Sequence, residues 1–154
     1  MTLLRKQTKN KLLVFAILTA LLGGCAPIQT KQVISTPNAP PAGGPYSQAI
    51  QAGNLVFVAG QVPFNPKTKA LNTGSIEEQT AQVLDNVKAI LEAGGLTMAN
   101  VVSTTVFMKN IDDFSKMNTT YAKYFGDAPP ARATVEASRL PRDVLIEISA
   151  IAAK

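Results

Sequence analysis

Arg132 is the first candidate for chemistry in this chain, because it opens a predicted strand directly after Pro129 and Pro130. A guanidinium at such a place can point into a cleft, where its planar fork suits a carboxylate held by two parallel hydrogen bonds. The alternative is a structural ion pair. Glu136 lies four residues further along the strand, roughly 13 Å away, which is too far for that pair. Structural pairing therefore requires another acidic partner, and the residue pattern alone leaves both interpretations open.

Glu147 is the second candidate, since it interrupts an otherwise apolar strand between Ile146 and Ile148. A carboxylate that loses water in such a place costs free energy unless it is paired, or it acquires a raised pKa suited to handling a proton. Two other interpretations stay open. Glu147 is either a strand-edge carboxylate in water or the missing structural partner of Arg132.

Three further residues suit a ligand site. Tyr46 offers a phenol, although a tyrosine after Gly-Pro also serves as a packing residue. Gly60 follows an apolar strand and allows either close backbone approach to a ligand or a tight turn. Asn118 lies four residues after Phe114 on a predicted helix, where its amide can contact a ligand or hydrogen-bond a neighbouring loop.

The N-terminal residues have the pattern of a bacterial lipoprotein signal peptide, predicted over residues 1–24. A basic segment precedes the apolar run from Leu12 to Leu22, and Leu22-Gly23-Gly24-Cys25 resembles a lipobox. Lipidation of Cys25, with palmitate among the expected chains, predicts a lipoprotein of the cell envelope, anchored on the periplasmic side of the inner or outer membrane. The alternative is a membrane anchor helix, but the run is short for a bilayer core of about 30 Å.

Without residues 1–24 the chain keeps eleven basic and ten acidic residues, a net charge of +1. Most of the net positive charge of the whole chain therefore comes from the predicted targeting segment. The charge of the remaining chain gives no support to nucleic-acid binding. The chain has no histidine, and its single cysteine is Cys25. Zinc sites of Cys and His, disulfides, free thiol nucleophiles and Ser-His triads are thereby excluded from the processed chain.

The remaining length suits one domain. Residues 25–44 are rich in proline and small residues and predict a lipid-anchored linker, while residues 45–154 form the domain. Ordered structure is expected to start near Gln32, within the linker.

Hydrophobic spacing predicts five strands and two helices. Ser75 and Glu78 form a capping box before the first helix, which Gly94 and Gly95 end, and the second helix runs from Ile111 to Phe125. The strands are predicted at residues 49–52, 55–59, 101–108, 131–138 and 144–152. This order indicates an α+β fold in which two helices pack on one face of a mixed sheet.

Taken together, several segments resemble the RidA/YjgF family of reactive intermediate deaminases, from about Val33 to Ala152. No single segment identifies the family, but the order and spacing of the segments together do. The segments are Gly44-Pro45-Tyr46-Ser47-Gln48-Ala49, Gly60-Gln61, Asn86-Val87, Val102 to Phe107, Phe114 with Asn118 and Tyr121, Pro130-Ala131-Arg132, and Leu140-Pro141 through Ile148.

The resemblance implies a chorismate-mutase-like fold and a homotrimer with pockets between subunits. It further implies a hydrolase, a deaminase that converts imines and enamines such as 2-aminoacrylate to 2-keto acids and ammonia, with no metal or organic cofactor. In this pattern Arg132 holds the substrate carboxylate and Glu147 orients or activates the attacking water. The residues expected to bind substrate around them are Tyr46, Gly60, Asn118 and Thr134.

Three residues depart from the family pattern. Ala59 stands where many members have serine, Thr134 where many have cysteine, and Pro129 where an aromatic is common. Ala59 removes a hydroxyl from the expected site, whereas Thr134 keeps its backbone carbonyl. The alternative function is therefore a non-catalytic module of the same trimeric fold that binds small carboxylates.

Overall fold

The computed structural model describes residues 30–154, and these form one mixed sheet with two helices on one face. All neighbouring strands of the sheet are antiparallel except one pair at its edge, Val101–Met108 and Ala131–Glu136, which is parallel. In spatial order the strands are β1 (Gln32–Ile34), β2 (Ala49–Ala52), β3 (Leu55–Gln61), β8 (Ile146–Ala153), β6 (Val101–Met108) and β7 (Ala131–Glu136). A separate short hairpin consists of β4 (Phe64–Asn65) and β5 (Ala70–Leu71). The predicted α+β architecture is confirmed.

The first helix, α1 (Ile76–Ala93), begins and ends where the sequence predicts. Ser75 Oγ accepts a hydrogen bond from the Glu78 N–H at 3.3 Å, and Glu78 Oε2 accepts one from the Ser75 N–H at 2.8 Å. These two bonds satisfy backbone donors that the helix itself leaves free, so the predicted capping box is confirmed. Gly94 follows the last helical residue, in agreement with the predicted end.

The second helix, α2 (Phe114–Phe125), starts three residues later than the sequence predicts. The segment Ile111–Asp113 is a 3₁₀ turn, and Asn110 Oδ1 accepts a hydrogen bond from the Asp112 N–H at 3.0 Å at its start. An asparagine that caps the turn in this way competes with the α-helical pattern, which explains the shift.

The hydrophobic core lies between the helices and one face of the sheet. Buried side chains alternate along β6 and β8, as expected for strands with one covered face. The opposite face carries Phe57, Phe107, Val135 and Ile151, of which Phe57 is 42% and Val135 45% exposed. Within the described residues this apolar face, here called the open face, has no helix packed on it.

Some boundaries differ from the prediction. β1 lies within residues 25–44, the segment predicted as a linker, and pairs with β2 in the sheet. β7 ends at Glu136 instead of Ser138, and β8 begins at Ile146 instead of Val144. The predicted signal peptide and Cys25 lie outside the described residues. Within residues 30–154, no helix has the length and apolar character to cross a membrane.

Candidate active site

Arg132 is held against α2 by neutral groups. Its Nη2 donates a hydrogen bond to Asn118 Oδ1 at 2.9 Å. Its Cζ lies 4.5 Å from the ring centroid of Tyr121 and 5.4 Å from that of Phe114, distances typical of cation–π contacts. The alternative partner Glu136 is engaged elsewhere, because its Oε2 accepts a hydrogen bond from the Ile111 N–H at 2.9 Å. No salt bridge to Arg132 forms among the described residues.

Tyr121 is itself fixed beneath the arginine. Its hydroxyl shares a 2.7 Å hydrogen bond with the Thr104 hydroxyl, and both residues are buried. Burial raises the pKa of the Tyr121 phenol, although the Thr104 hydrogen bond and the nearby Arg132 charge partly oppose that rise. The ring is therefore a neutral surface of fixed orientation.

Glu147 lies beside a bulge in β3. The register between β3 and β8 shifts between Val58 and Gln61, so one extra residue is inserted in β3 around Ala59 and Gly60. The Glu147 side chain packs directly over the Gly60 backbone: a Cβ at Gly60 would lie 2.8 Å from Glu147 Cδ and 3.2 Å from Cγ. Gly60 thus makes room for the carboxylate instead of only forming a turn. Burial raises the pKa of the Glu147 carboxyl above its ordinary value.

A cavity of about 580 Å³ contains Glu147 and Gly60. Tyr46 lines it as well, and its hydroxyl accepts a hydrogen bond from the Gly43 N–H at 3.1 Å. The buried Gln48 holds the loop before it: its Oε1 accepts from the Thr36 N–H at 2.7 Å, and its Nε2 donates to the Pro40 carbonyl at 2.6 Å. The remaining lining is mostly apolar, with Arg142 as a further charged residue.

The sheet separates the two principal candidates. Arg132 pairs with Thr104, which also pairs with the buried Ala150, so the three side chains share the face that the helices cover. Glu147 pairs with Phe107, three residues after Thr104 on β6, and therefore lies on the open face. Within one chain, Arg132 and Glu147 do not converge. Glu147 is therefore not the structural partner of Arg132 within one subunit.

The other candidates divide between the two places. Tyr46 and Gly60 accompany Glu147 in the cavity, whereas Asn118 contacts Arg132. Thr134 lies two residues after Arg132 on the same face of β7, and its Oγ1 is buried without a hydrogen-bond partner among the described residues. A buried hydroxyl without a partner is costly, and a ligand or a water can supply one.

The sequence did not identify Phe114 and Tyr121 as neighbours of Arg132. Both lie within the predicted second helix at apolar positions, where a core role is the simplest interpretation, and Tyr121 does belong to the core. A signal was nonetheless present. Phe114, Asn118 and Tyr121 follow one another at spacings of four and three residues, which places them on one helix face. An asparagine between two aromatics on one face is suited to holding a cation.

Replacing Gly60 with alanine tests the packing over the bulge. The new methyl group cannot occupy its place unless the Glu147 side chain moves, so we expect the carboxylate to be displaced while the fold persists. Any activity that depends on Glu147 should fall at least about tenfold, and thermal unfolding should shift much less than for a large core truncation. Ala70→Gly, an alanine–glycine exchange at an exposed position on β5 away from the cavity, is the control and should leave activity unchanged. Full activity of Gly60→Ala would contradict this account.

Comparison with known proteins agrees with the fold and the motifs. A family model described as Endoribonuclease L-PSP matches residues 36–154. Over 124 residues, 80% of this chain and 98% of the relative, the chain is 59% identical to RutC family protein PH0854 of Pyrococcus horikoshii. Over 126 residues, with the same shares covered, it is 48% identical to the 2-iminobutanoate/2-iminopropanoate deaminase of Escherichia coli K12.

Among solved structures, E. coli TdcF with bound serine superposes with a TM-score of 0.76 at 39% identity, covering 80% of this chain and 98% of that chain. The relatives share the mixed sheet and the two helices, and homotrimers that bind small substrates are typical of the family. The family model spans most of the chain, and the relatives match over nearly their whole length. The chain therefore belongs to the RidA/YjgF family, the family of the Endoribonuclease L-PSP model.

Proposed function

We propose that this chain hydrolyses small imines and enamines of the 2-aminoacrylate type to 2-keto acids and ammonia. The observation that carries the proposal is the state of Arg132: its guanidinium is fixed by neutral groups and has no acidic partner among the described residues. Such a group is suited to a small carboxylate from outside the chain. The deaminase name of the E. coli relative supports imine hydrolysis as the chemistry, and the serine bound to TdcF supports a ligand of amino-acid size.

The proposed reaction requires only placement and one proton-handling group. Arg132 holds the substrate carboxylate, and the adjacent C=N carbon accepts a water molecule. Glu147 in its ionised form takes a proton from that water as the C–O bond forms. The proton then passes to the nitrogen, which gives a carbinolamine with a hydroxyl and an amino group on the same carbon. Glu147 next moves the hydroxyl proton to the nitrogen, the C–N bond breaks, and ammonia leaves as the carbonyl forms. A carboxylate with a raised pKa is a stronger base than an ordinary glutamate, which suits this role.

Because Arg132 and Glu147 lie on opposite faces of the sheet, we infer that a complete site combines Arg132 of one subunit with Glu147 of its neighbour. Arg132 is on β7, an edge strand, and can reach a second subunit without crossing its own sheet. The open face, with Phe57, Phe107 and Val135, supplies apolar surface for association. Homotrimeric assembly, typical of the family, gives one such site at each of three equivalent interfaces.

The test of the proposed function is release of 2-keto acid from freshly generated imino acids. The full chain in detergent would be added to imines derived from a panel of small amino acids, and the keto acid would be measured against buffer alone. We expect faster release with the protein and no dependence on added metal. Binding of keto acids without any acceleration would instead favour the non-catalytic binding module.

Mixed trimers test the composite site. Subunits with Arg132→Ala lack the cation, and subunits with Glu147→Gln lack the carboxylate. After unfolding and refolding together in equal amounts, about a quarter of the interfaces should combine the intact Arg132 of one with the intact Glu147 of the other. We expect activity to return to a comparable fraction of wild type. If each variant is inactive alone and the mixture is no more active, both residues act within one subunit and the inference fails.

We also propose that the chain is lipid-anchored at Cys25 in the cell envelope, as the N-terminal sequence pattern suggests. Labelling with a palmitate analogue, compared between wild type and Cys25→Ala, tests this directly. Label on the wild type alone supports the anchor. Equal absence of label from both, in cells that lipidate a control lipoprotein, would contradict it.

A further inference from the structure

We propose that Phe114 and Tyr121 are positioning residues that hold the Arg132 guanidinium in place for the substrate carboxylate. The inference rests on the proposed function in one respect, the assignment of Arg132 to that carboxylate. It adds two side chains that need not touch the substrate and act through the arginine.

The contacts around Arg132 fix more than its position. An arginine side chain has many rotamers, and a ligand that must first order them loses affinity. Here one nitrogen is tied to Asn118 at 2.9 Å, and the rings of Tyr121 and Phe114 lie within 5.4 Å of the guanidinium carbon. The hydrogen bond fixes the position of one guanidinium nitrogen, whereas the aromatic rings restrain the orientation of the guanidinium plane.

The neutrality of these contacts matters as much as their geometry. A carboxylate partner would also immobilise Arg132, but it would occupy its donors and compete with the substrate. Aromatic faces attract the cation electrostatically and leave the N–H donors, which lie in the plane of the guanidinium, available to other acceptors. The Asn118 amide uses one of the five N–H donors, so the others stay available to a ligand.

The Tyr121 ring is held from below. Thr104 lies on β6 directly opposite Arg132 on β7, and its hydroxyl meets the Tyr121 hydroxyl at 2.7 Å. Two paired strands, β6 and β7, therefore carry both Arg132 and the Thr104 hydroxyl that orients the Tyr121 ring. Phe114, one turn before Asn118 on α2, is 37% exposed and completes the contact from the outer side.

The experiment compares variants that keep or remove the rings. Phe114→Leu and Tyr121→Leu remove an aromatic face, while Tyr121→Phe keeps it and loses only the hydroxyl. Binding of pyruvate would be measured by calorimetry, and kcat and KM would be measured with an imino acid. We expect the two leucine variants to raise the pyruvate Kd and the KM about 3- to 30-fold, with kcat changed less than about threefold. Tyr121→Phe should restore most of the affinity.

Tyr124→Leu is the matched control, because it removes an aromatic ring from the same helix at a position that does not contact Arg132. The Tyr124 hydroxyl donates a hydrogen bond to Asp85. It should leave the pyruvate Kd unchanged. The inference is overturned if folded Phe114→Leu binds pyruvate like wild type, or if Tyr124→Leu weakens binding equally. If Tyr121→Leu fails to fold, the pyruvate affinity of Phe114→Leu still tests the inference, because Phe114 is exposed. Ring-dependent pyruvate binding without any turnover would leave this inference standing and refute the proposed catalysis.

Discussion

Replacing Arg132 with alanine is expected to lower kcat/KM for a small imino acid by about 10²- to 10⁴-fold. The reason is the loss of two charge-assisted hydrogen bonds to the substrate carboxylate, each contributing about 1.5–3 kcal/mol. The fold should persist, since the arginine makes one side-chain hydrogen bond and two ring contacts at the edge of the sheet. Steady-state rates with a generated imine, together with the pyruvate Kd, provide the measurement.

Two comparisons make the Arg132 result specific. Arg132→Lys keeps the charge but loses the planar fork, so its activity should fall between those of wild type and Arg132→Ala. Arg139→Ala removes a positive charge from an exposed position outside the proposed site and should leave kcat/KM unchanged. If Arg132→Ala retains wild-type kcat/KM, the carboxylate is bound elsewhere and the proposed mechanism is wrong.

Replacing Glu147 with glutamine is expected to lower kcat by about 10²- to 10⁴-fold, the usual contribution of a general acid or base. Glutamine has nearly the same shape, so the packing over Gly60 should persist and pyruvate should bind with little change. The comparison of kcat with the pyruvate Kd therefore separates loss of proton transfer from loss of the pocket. Glu92→Gln, an exposed glutamate on α1, serves as the control.

The raised pKa of Glu147 has two pH consequences. Activity that needs the ionised carboxylate should fall on the acidic side with a pKa above that of an ordinary glutamate. Stability should respond in the opposite direction. Between the ordinary and the raised pKa the folded chain binds more protons than the unfolded chain, so folding stability decreases as pH rises through that window. Glu147→Gln should lack this slope in urea unfolding measured at several pH values.

The regular elements were largely predictable because each has a local cause. The Ser75 capping box and the glycines after Ala93 determine α1, and alternation of buried residues determines β6 and β8. The hairpin of β4 and β5 was missed, since strands of two residues carry too little periodicity to detect. The second helix was predicted to start too early because the Asn110 turn continues its apolar spacing.

The candidate site was predicted as a set of residues but not as an arrangement. Arg132, Glu147, Tyr46, Gly60 and Asn118 were all named from residue type and position, yet nothing local assigns a side chain to one face of the sheet. That assignment depends on which strands become neighbours. β8 is inserted between β3 and β6, and β7 pairs in parallel with β6 at the edge, both through contacts distant in sequence.

Because the cation and the acid lie on opposite sides of one sheet, the proposed composite site makes catalysis a property of the quaternary state. An isolated subunit would hold two incomplete halves, so specific activity should decline on dilution once the oligomer dissociates, by mass action alone. Tethering to a membrane surface would counteract this, because confinement to two dimensions raises the effective concentration of subunits. The proposed anchored form would then be active at a cellular abundance at which a freely diffusing form would be largely inactive.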